Sequence, residues 1–416
     1  MQFTDAPAAT TSVPSNPRIE RIEREVVVVG GGPAGSTAAR ELASRGRDVL
    51  LLDRARFPRD KPCGGGVTIR CAQLLPFDIS PVVEHVVTGA EVRLGHLGKR
   101  VQRDYNGVLT YMTQRRRLDA FLVEHAQQAG AEFRDGVQVS RVTKLGDGTF
   151  EVEAGRQHII TRALVGADGA NGVVANSLGF EKPPEAAVAL EGNIPCPDGP
   201  PEWVRGRVIL QLGVMPGGYA WVFPKGDHLN VGVGGWKAIA GPRLRPALER
   251  VCRDYGLDSS QLQNLRGHHL PIGRPGAPLT TGGAALVGDA AALLDPLSGE
   301  GIYAAIASGT VVAPVIDEYL AGRVPSLAAY QRTIAREVVR DAAASRALMD
   351  IFHAWPDPWV WLLQRSDRFW QRFCEVVRGD DGYDDLVHSF GPAILALAPM
   401  AKAGRAWTSR QWGDAR

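Results

Sequence analysis

The chain has little cysteine. Only five occur in 416 residues, Cys63, Cys71, Cys196, Cys252 and Cys374, and no two form a C-x-x-C pair. That excludes a disulfide framework and a zinc ribbon, and makes a reducing cytoplasm the expected setting. No sign of charge dominates. With 47 Lys+Arg against 45 Asp+Glu, the net charge of +2 argues against a protein built to neutralise a nucleic-acid backbone. The basic run at 115–117 is too short to change that. Metal ligation has no support either, because His268 and His269 are adjacent, a spacing that does not turn two ligands to one ion from a helix. Long apolar runs are missing. The longest, 302–316, falls short of the ~20 residues of a spanning helix and contains Gly309 and Pro314. Residues 1–20 lack the apolar core of a secretory signal, so 1–23 read as a flexible leader.

Glycine is what the chain has in excess, 48 residues, against an ordinary 44% hydrophobic and 22% charged background. The glycines do not follow a fibrous or linker pattern, which directs attention to tight turns and ligand loops. Residues 25–30 read EVVVVG, a strand buried on both faces. Gly30-Gly31-Gly32-Pro33-Ala34-Gly35 then satisfies G-x-G-x-x-G. A helix follows, with Gly46 as its stop, and DVLLLD makes a second buried strand ending in Asp53 beside Arg54. Each part has a task. Gly30 permits the turn, Gly32 lets amides approach a pyrophosphate, Gly35 lets helix pack on strand, and Asp53 accepts from a ribose diol. Position alone does not separate FAD from NAD.

Two further glycine motifs lie far downstream. ALVGADG ends at Asp168-Gly169, and AALVGDAAALLDPLSGEG carries Gly288-Asp289, Pro296, Gly299 and Gly301, with a helix beginning near Ile302. Together with the first motif these resemble the flavoprotein class of the aromatic hydroxylases. The resemblance implies an α/β (α+β overall) fold in which a Rossmann-type domain binds FAD. The first glycine motif takes the ADP half, Asp168 and Gly169 lie near both FAD and a nicotinamide cofactor, and Gly288 and Asp289 hold the ribityl chain. Arg115, in an Arg-x-x-Leu-Asp element, helps hold the FAD. Pro296, Gly299, Gly301 and Ile302 bring a helix N-terminus beside the flavin, where it stabilises negative charge on the reduced ring. The class often continues Asp-Gly with Ser and a basic residue, whereas this chain reads Asp168-Gly169-Ala170-Asn171.

Two local signatures narrow the class. One is Lys61-Pro62-Cys63-Gly64-Gly65, and the other is Tyr219-Ala220-Trp221-Val222-Phe223-Pro224, preceded by Pro216-Gly217-Gly218. Both resemble the geranylgeranyl reductase family, whose members reduce carbon–carbon double bonds of polyprenyl chains. The likeness spans roughly 24–320. It implies hydride transfer from FAD reduced by NAD(P)H or another donor, a prenylated or lipid substrate, and Cys63, Gly64 and Gly65 close to the cofactor. Cys63, Tyr219 and Trp221 are the catalytic candidates. Cys63 reads either as an inert small residue or as a thiol that seats or protonates the alkene. Tyr219, Trp221 and Phe223 alternate and share one strand face, either a plain core face or the wall of a substrate pocket. Two other readings stay open: an FAD-dependent monooxygenase or halogenase, whose G-W-x-W-x-I-P stretch is similar around Trp221, and a flavin- or lipid-binding protein without turnover.

The expected organisation places the FAD-binding domain at 24–85, 115–180 and 268–345. An antiparallel substrate domain occupies 86–114 and 181–267, its 186–235 portion an antiparallel meander, and a helical segment occupies 346–416. Six tryptophans, Trp355, Trp359, Trp361, Trp370, Trp407 and Trp412, fall in that last segment among arginines. They suit a peripheral membrane contact or a helical cap over the substrate tunnel.

Overall fold

The computed structural model describes residues 20–95, 98–181, 183, 185–215, 217–272 and 276–390. Residues 1–19, Pro216, Trp407 and Trp412 lie outside the described residues. The valine run forms the end of the strand Glu20–Val29, with Val26, Val27 and Val28 fully buried. Residues 20–23, expected in the leader, already belong to this strand because they pair with 157–160. Val49–Leu52 and Gln157–Gly166 flank it in parallel, Glu132–Arg134 and Ala284–Leu286 continue outward, and Thr280–Thr281 closes one edge antiparallel. The helices Pro33–Ala43, Arg115–Gln128 and Ile302–Leu320 complete this Rossmann-type half. Parallel strands covered on their faces need continuous apolar runs, which is what 26–29 and 49–52 supply.

The second layer is a seven-stranded sheet in the order Gln263–Ile272, Glu185–Pro195, His228–Trp236, Tyr219–Pro224, Arg207–Leu212, Gly89–Leu94, Lys99–Asp104. Within it Arg207–Leu212, Tyr219–Pro224 and His228–Trp236 form the expected antiparallel meander, but the strands on either side of it are joined in another order. Arg207–Leu212 lies parallel to Gly89–Leu94, and Glu185–Pro195 sits beyond His228–Trp236. Two expected boundaries also move. Residues 268–272 stay in this sheet, because the ladder from 263 continues against 185–191. Residues 110–113 leave it and join Gly66–Thr68 and Val83–Val87 in a small three-stranded sheet. Alternation sorts the large sheet into two faces. Ile209, Val222, Val231 and Val233 pack on Leu248, Val251 and Cys252 of the helix Leu244–Asp254. The opposite face carries Tyr219, Trp221 and Phe223.

The helices Arg340–Ala354, Pro356–Arg365, Asp367–Arg378 and Tyr383–Phe390 close over that face. Trp370 is buried and donates its indole N–H to the Asp104 carbonyl at 3.1 Å. Trp359 stacks with Phe352 and Phe369. Trp355 and Trp361 stay exposed, at 42% and 57%. The described tryptophans are thus divided between cap and surface. Among the described residues no helix is long and apolar enough to cross a membrane.

The close packing is specific enough to test. A Cβ at Gly309 would stand 2.5 Å from the Ala34 carbonyl oxygen and 3.1 Å from Ala38 N, whereas one at Gly241 would meet nothing within 4 Å. Gly309→Ala is expected to destabilise the fold by about 1–3 kcal/mol in calorimetric unfolding, as overpacking does. Gly241→Ala is expected to leave it unchanged.

Candidate active site

The glycine turn is a junction of three backbones. Gly30 has φ of 108°, and a Cβ there would lie 2.3 Å from the Ala167 carbonyl oxygen. A Cβ at Gly35 would lie 1.8 Å from the Gly30 carbonyl oxygen, so the helix starts directly against the strand end. Gly32 is different. It is the N-cap of Pro33–Ala43, no side chain caps that helix, and the nearest atoms to a Cβ would be the guanidinium ends of Arg59 and Arg115, at 3.7 and 3.9 Å. An uncapped helix start facing two guanidinium groups fits a pyrophosphate. Asp53, buried at the strand end, accepts from Gly31 N and Ala55 N, each at 2.8 Å. Arg54 stands exposed at the rim of the cavity that these loops enclose.

Arg115 is buried to 6% exposure, although Arg116 and Arg117 beside it are exposed. It grips Asp119 through two bonds of 2.7 and 2.8 Å, and Arg59 reaches the same carboxylate at 2.8 Å. Burial alone would weaken the guanidinium's hold on its proton. The adjoining Asp119 outweighs burial and keeps it charged.

The second glycine motif leaves a carboxylate with capacity to spare. Asp168 accepts from Val174 N at 3.0 Å through Oδ2, while Oδ1 is buried with no hydrogen-bond partner. Burial raises its carboxyl above the ordinary range. A Cβ at Gly172 would collide with Oδ1 at 2.1 Å, so the Ala170-Asn171-Gly172 variation gives this side chain its room. An orphaned acceptor beside the glycine turn fits a ligand hydroxyl or amide.

At the third motif, Asp289 meets Lys61 at 3.0 Å and His268 at 3.8 Å. Burial pushes its carboxyl up, but Lys61 and His268 prevail and hold it well below the usual range. Neither Lys61 nor His268 was expected here from sequence. His268 arrives on the long strand whose alternation turns it, and not His269, toward the cavity. Gly299, with φ of 68°, and Gly301, the N-cap of Ile302–Leu320, complete the wall with Pro296 and Ile302. Asp295 Oδ1 accepts from Ser298 N at 2.6 Å and from the Tyr383 hydroxyl at 3.1 Å. Burial, with Asp295 beside it, raises the Glu300 carboxyl to about 7.

All these loops line one cavity of about 1120 Å³, and so do Cys63, Gly64, Gly65, Tyr219, Trp221 and Phe223. Phe223 leaves no room for a side chain on Gly64, whose Cβ would fall 2.8 Å from the ring. Trp221 lies over Gly232, where a Cβ would be 2.0 Å from the indole, and donates to Asn230 Oδ1 at 2.7 Å. Tyr219 sits 6.0 Å and Phe223 6.2 Å from the Trp221 ring, and the Tyr219 hydroxyl donates to the Ser298 carbonyl. The face that read as core or pocket wall is therefore a cavity wall. Beyond it the lining is apolar, with Val92, Leu210, Leu363, Phe369 and Phe373. Among the described residues no cluster of side chains suits a metal ion.

The fold and its three glycine loops define an FAD-binding oxidoreductase of the Rossmann type, and residues 23–211 match the FAD binding domain. The chain is 31% identical over 333 residues to the chloroplastic geranylgeranyl diphosphate reductase of Oryza sativa, covering 75% of this chain and 69% of that one. It is 32% identical over 332 residues to menaquinone reductase of Mycobacterium tuberculosis, covering 73% and 79%. A geranylgeranyl bacteriochlorophyll reductase-like protein from Thermoplasma acidophilum superposes with a TM-score of 0.72 at 25% identity, covering 89% of this chain and 98% of that one. This chain belongs to the geranylgeranyl reductase family.

Two outcomes follow from the electrostatics. Arg115→Met removes a buried cation from beside the Gly32 turn and is expected to weaken FAD binding about tenfold or more, read by fluorescence titration of the stripped protein. Wild-type affinity would contradict the assignment. Glu300 holds its proton more tightly when folded, so its stabilising contribution is whole below the ordinary value of 4.5 and is lost as pH rises through about 7. Glu300→Gln should therefore flatten the fall of Tm across that window and be more stable above it, by at most roughly 3 kcal/mol. An unchanged pH profile of Tm would contradict the burial argument.

Proposed function

We propose that this protein is an FAD-dependent reductase that adds two hydrogens across carbon–carbon double bonds of a polyprenyl substrate. The observation that carries the reading is the continuity of one cavity, polar at the glycine loops and apolar along the aromatic strand and the capping helices. When bound, FAD supplies the hydride. Gly32, Arg59 and Arg115 would hold its pyrophosphate, Asp53 its ribose, and Asp168 and Asp289 its remaining polar groups.

The rest is work for the chain itself. Tyr219, Trp221 and Phe223 offer an apolar wall, with Phe223 tilted 33° and Tyr219 turned 62° from the indole, along which an isoprenoid chain lies extended. The Tyr219 hydroxyl, committed to the Ser298 carbonyl, ties that wall to the Gly299 loop, so the wall and the cofactor loops keep one spacing. Phe352, Trp359 and Phe369 shut the far side and exclude bulk water. Relatives named for a prenyl diphosphate and for a prenylated quinone support a long isoprenoid tail as the shared feature of the substrate. In this reading NAD(P)H or another donor renews the reduced cofactor, and the exposed Trp355 and Trp361 touch a membrane surface while the substrate is drawn from it.

Anaerobic incubation with a panel of prenyl compounds and chemically reduced FAD tests the proposal by product mass. A gain of one hydrogen pair per reduced double bond, with no oxygen, is the expected result. Oxygen incorporated only in air would replace the reductase with a monooxygenase. Bound FAD with no product under either condition would place the substrate outside the prenyl class.

A further inference from the structure

Behind the 63–65 loop lie a buried lysine and a buried glutamate that hold its backbone. Lys225 directly follows the aromatic strand, yet only 2% of its surface is exposed. Its ammonium donates to the Gly64 carbonyl, to the Thr113 carbonyl at 2.9 Å and toward Met112 Sδ at 3.9 Å, which occupies its three donors. Glu191, 8% exposed, takes the same loop by another peptide group: its Oε1 accepts from Cys63 N at 2.6 Å. The Cys63 N–H and the Gly64 C=O are therefore held by opposite charges. Cys63 Sγ in turn accepts from Gly65 N at 3.3 Å.

A buried ammonium is costly to maintain. Burial pushes Lys225 down to about 8, while Cys63, Glu191 and Glu84 resist that fall. A methionine would fill the same space without the charge, but it would leave the Gly64 and Thr113 carbonyls without their donor and Glu191 without a nearby cation. The cation and the carboxylate are spent on the backbone of one loop, and the strand register sets where that loop is held. Glu191 stands opposite Gly232 in the sheet, and Gly232 stands opposite Trp221. Cys63, Glu191 and Trp221 all face the cavity. The strand register thus fixes the loop anchor and the aromatic wall to one another.

We propose that Lys225 and Glu191 are positioning residues that act through Cys63, clamping the 63–65 loop and setting its thiol against the Trp221 wall. The role of the thiol in turnover rests on the reductase reading; the clamp itself does not.

The test uses full-length protein loaded with FAD. Lys225→Met is made alone and in a Cys63→Ala background. With Cys63 present, kcat is expected to fall about tenfold or more, and with Cys63 absent Lys225→Met should change kcat no further, whatever both variants lose in Tm. A second readout needs no turnover. Iodoacetamide labelling of the Cys63 peptide, followed by mass spectrometry, should change at least about threefold in Lys225→Met and in Glu191→Ala, while labelling of Cys196 stays constant. Wild-type labelling of Cys63, or an equal loss of kcat in both backgrounds, overturns the proposal. If the parent protein reduces no prenyl compound, the labelling still decides the clamp and only the reductase reading fails. Should Lys225→Met not fold, Lys225→Gln keeps a donor and carries the same comparison.

Discussion

The site depends on how closely the helix Ile302–Leu320 crosses the helix Pro33–Ala43 at Ala34. Gly309 leaves room for the Ala34 carbonyl, and Gly288 leaves room for its methyl, with a Cβ there only 3.0 Å away. One turn of one helix therefore brings together the first and third glycine motifs, which are remote in sequence. The second motif joins at the same place through the contact between Gly30 and Ala167. A larger residue at any of these points would push a loop out of the cavity wall. Interiors pack like organic solids, so the adjustment would spread to neighbouring strands.

From that junction the cavity runs outward along a gradient of chemistry. Its inner end is lined by charges that balance locally: Arg115 and Arg59 on Asp119, Lys61 on Asp289. Its outer end is apolar. The boundary between them is the 63–65 loop, lying against Phe223 on one side and held by Lys225 and Glu191 on the other. An apolar chain would bury its surface in the outer arm, and a charged cofactor would be compensated at the inner one. Local pairing of this kind offsets part of the cost of burying these charges.

Much of this was legible in the amino-acid sequence. Valine runs, glycine spacing and Asp53 placed the Rossmann-type half, because those signals are local and periodic. The alternation of Tyr219, Trp221 and Phe223 fixed their common face for the same reason. What stayed hidden depends on partners from elsewhere. Lys225 stands before a Gly-Asp turn and reads as solvent-exposed, and only the arrival of Gly64 and Thr113 buries it. Glu191 has no local pattern that marks it, since its partner Cys63 comes from the other half of the molecule. His268 and His269 look alike until the strand through 263–272 assigns them to opposite faces. The parallel pairing of Arg207–Leu212 with Gly89–Leu94 was equally unreadable, as parallel partners are set by the connections between them and not by either strand alone.

A crystal structure of the protein with FAD and a saturated isoprenoid chain bound would test the central claim, that one cavity takes both, most directly. The cofactor pyrophosphate is expected at the Gly32 turn and the chain along Tyr219, Trp221 and Phe223 beneath Phe369. A chain bound outside this wall, or a cofactor that fills the arm along the aromatic strand and leaves no space for a chain, would contradict it.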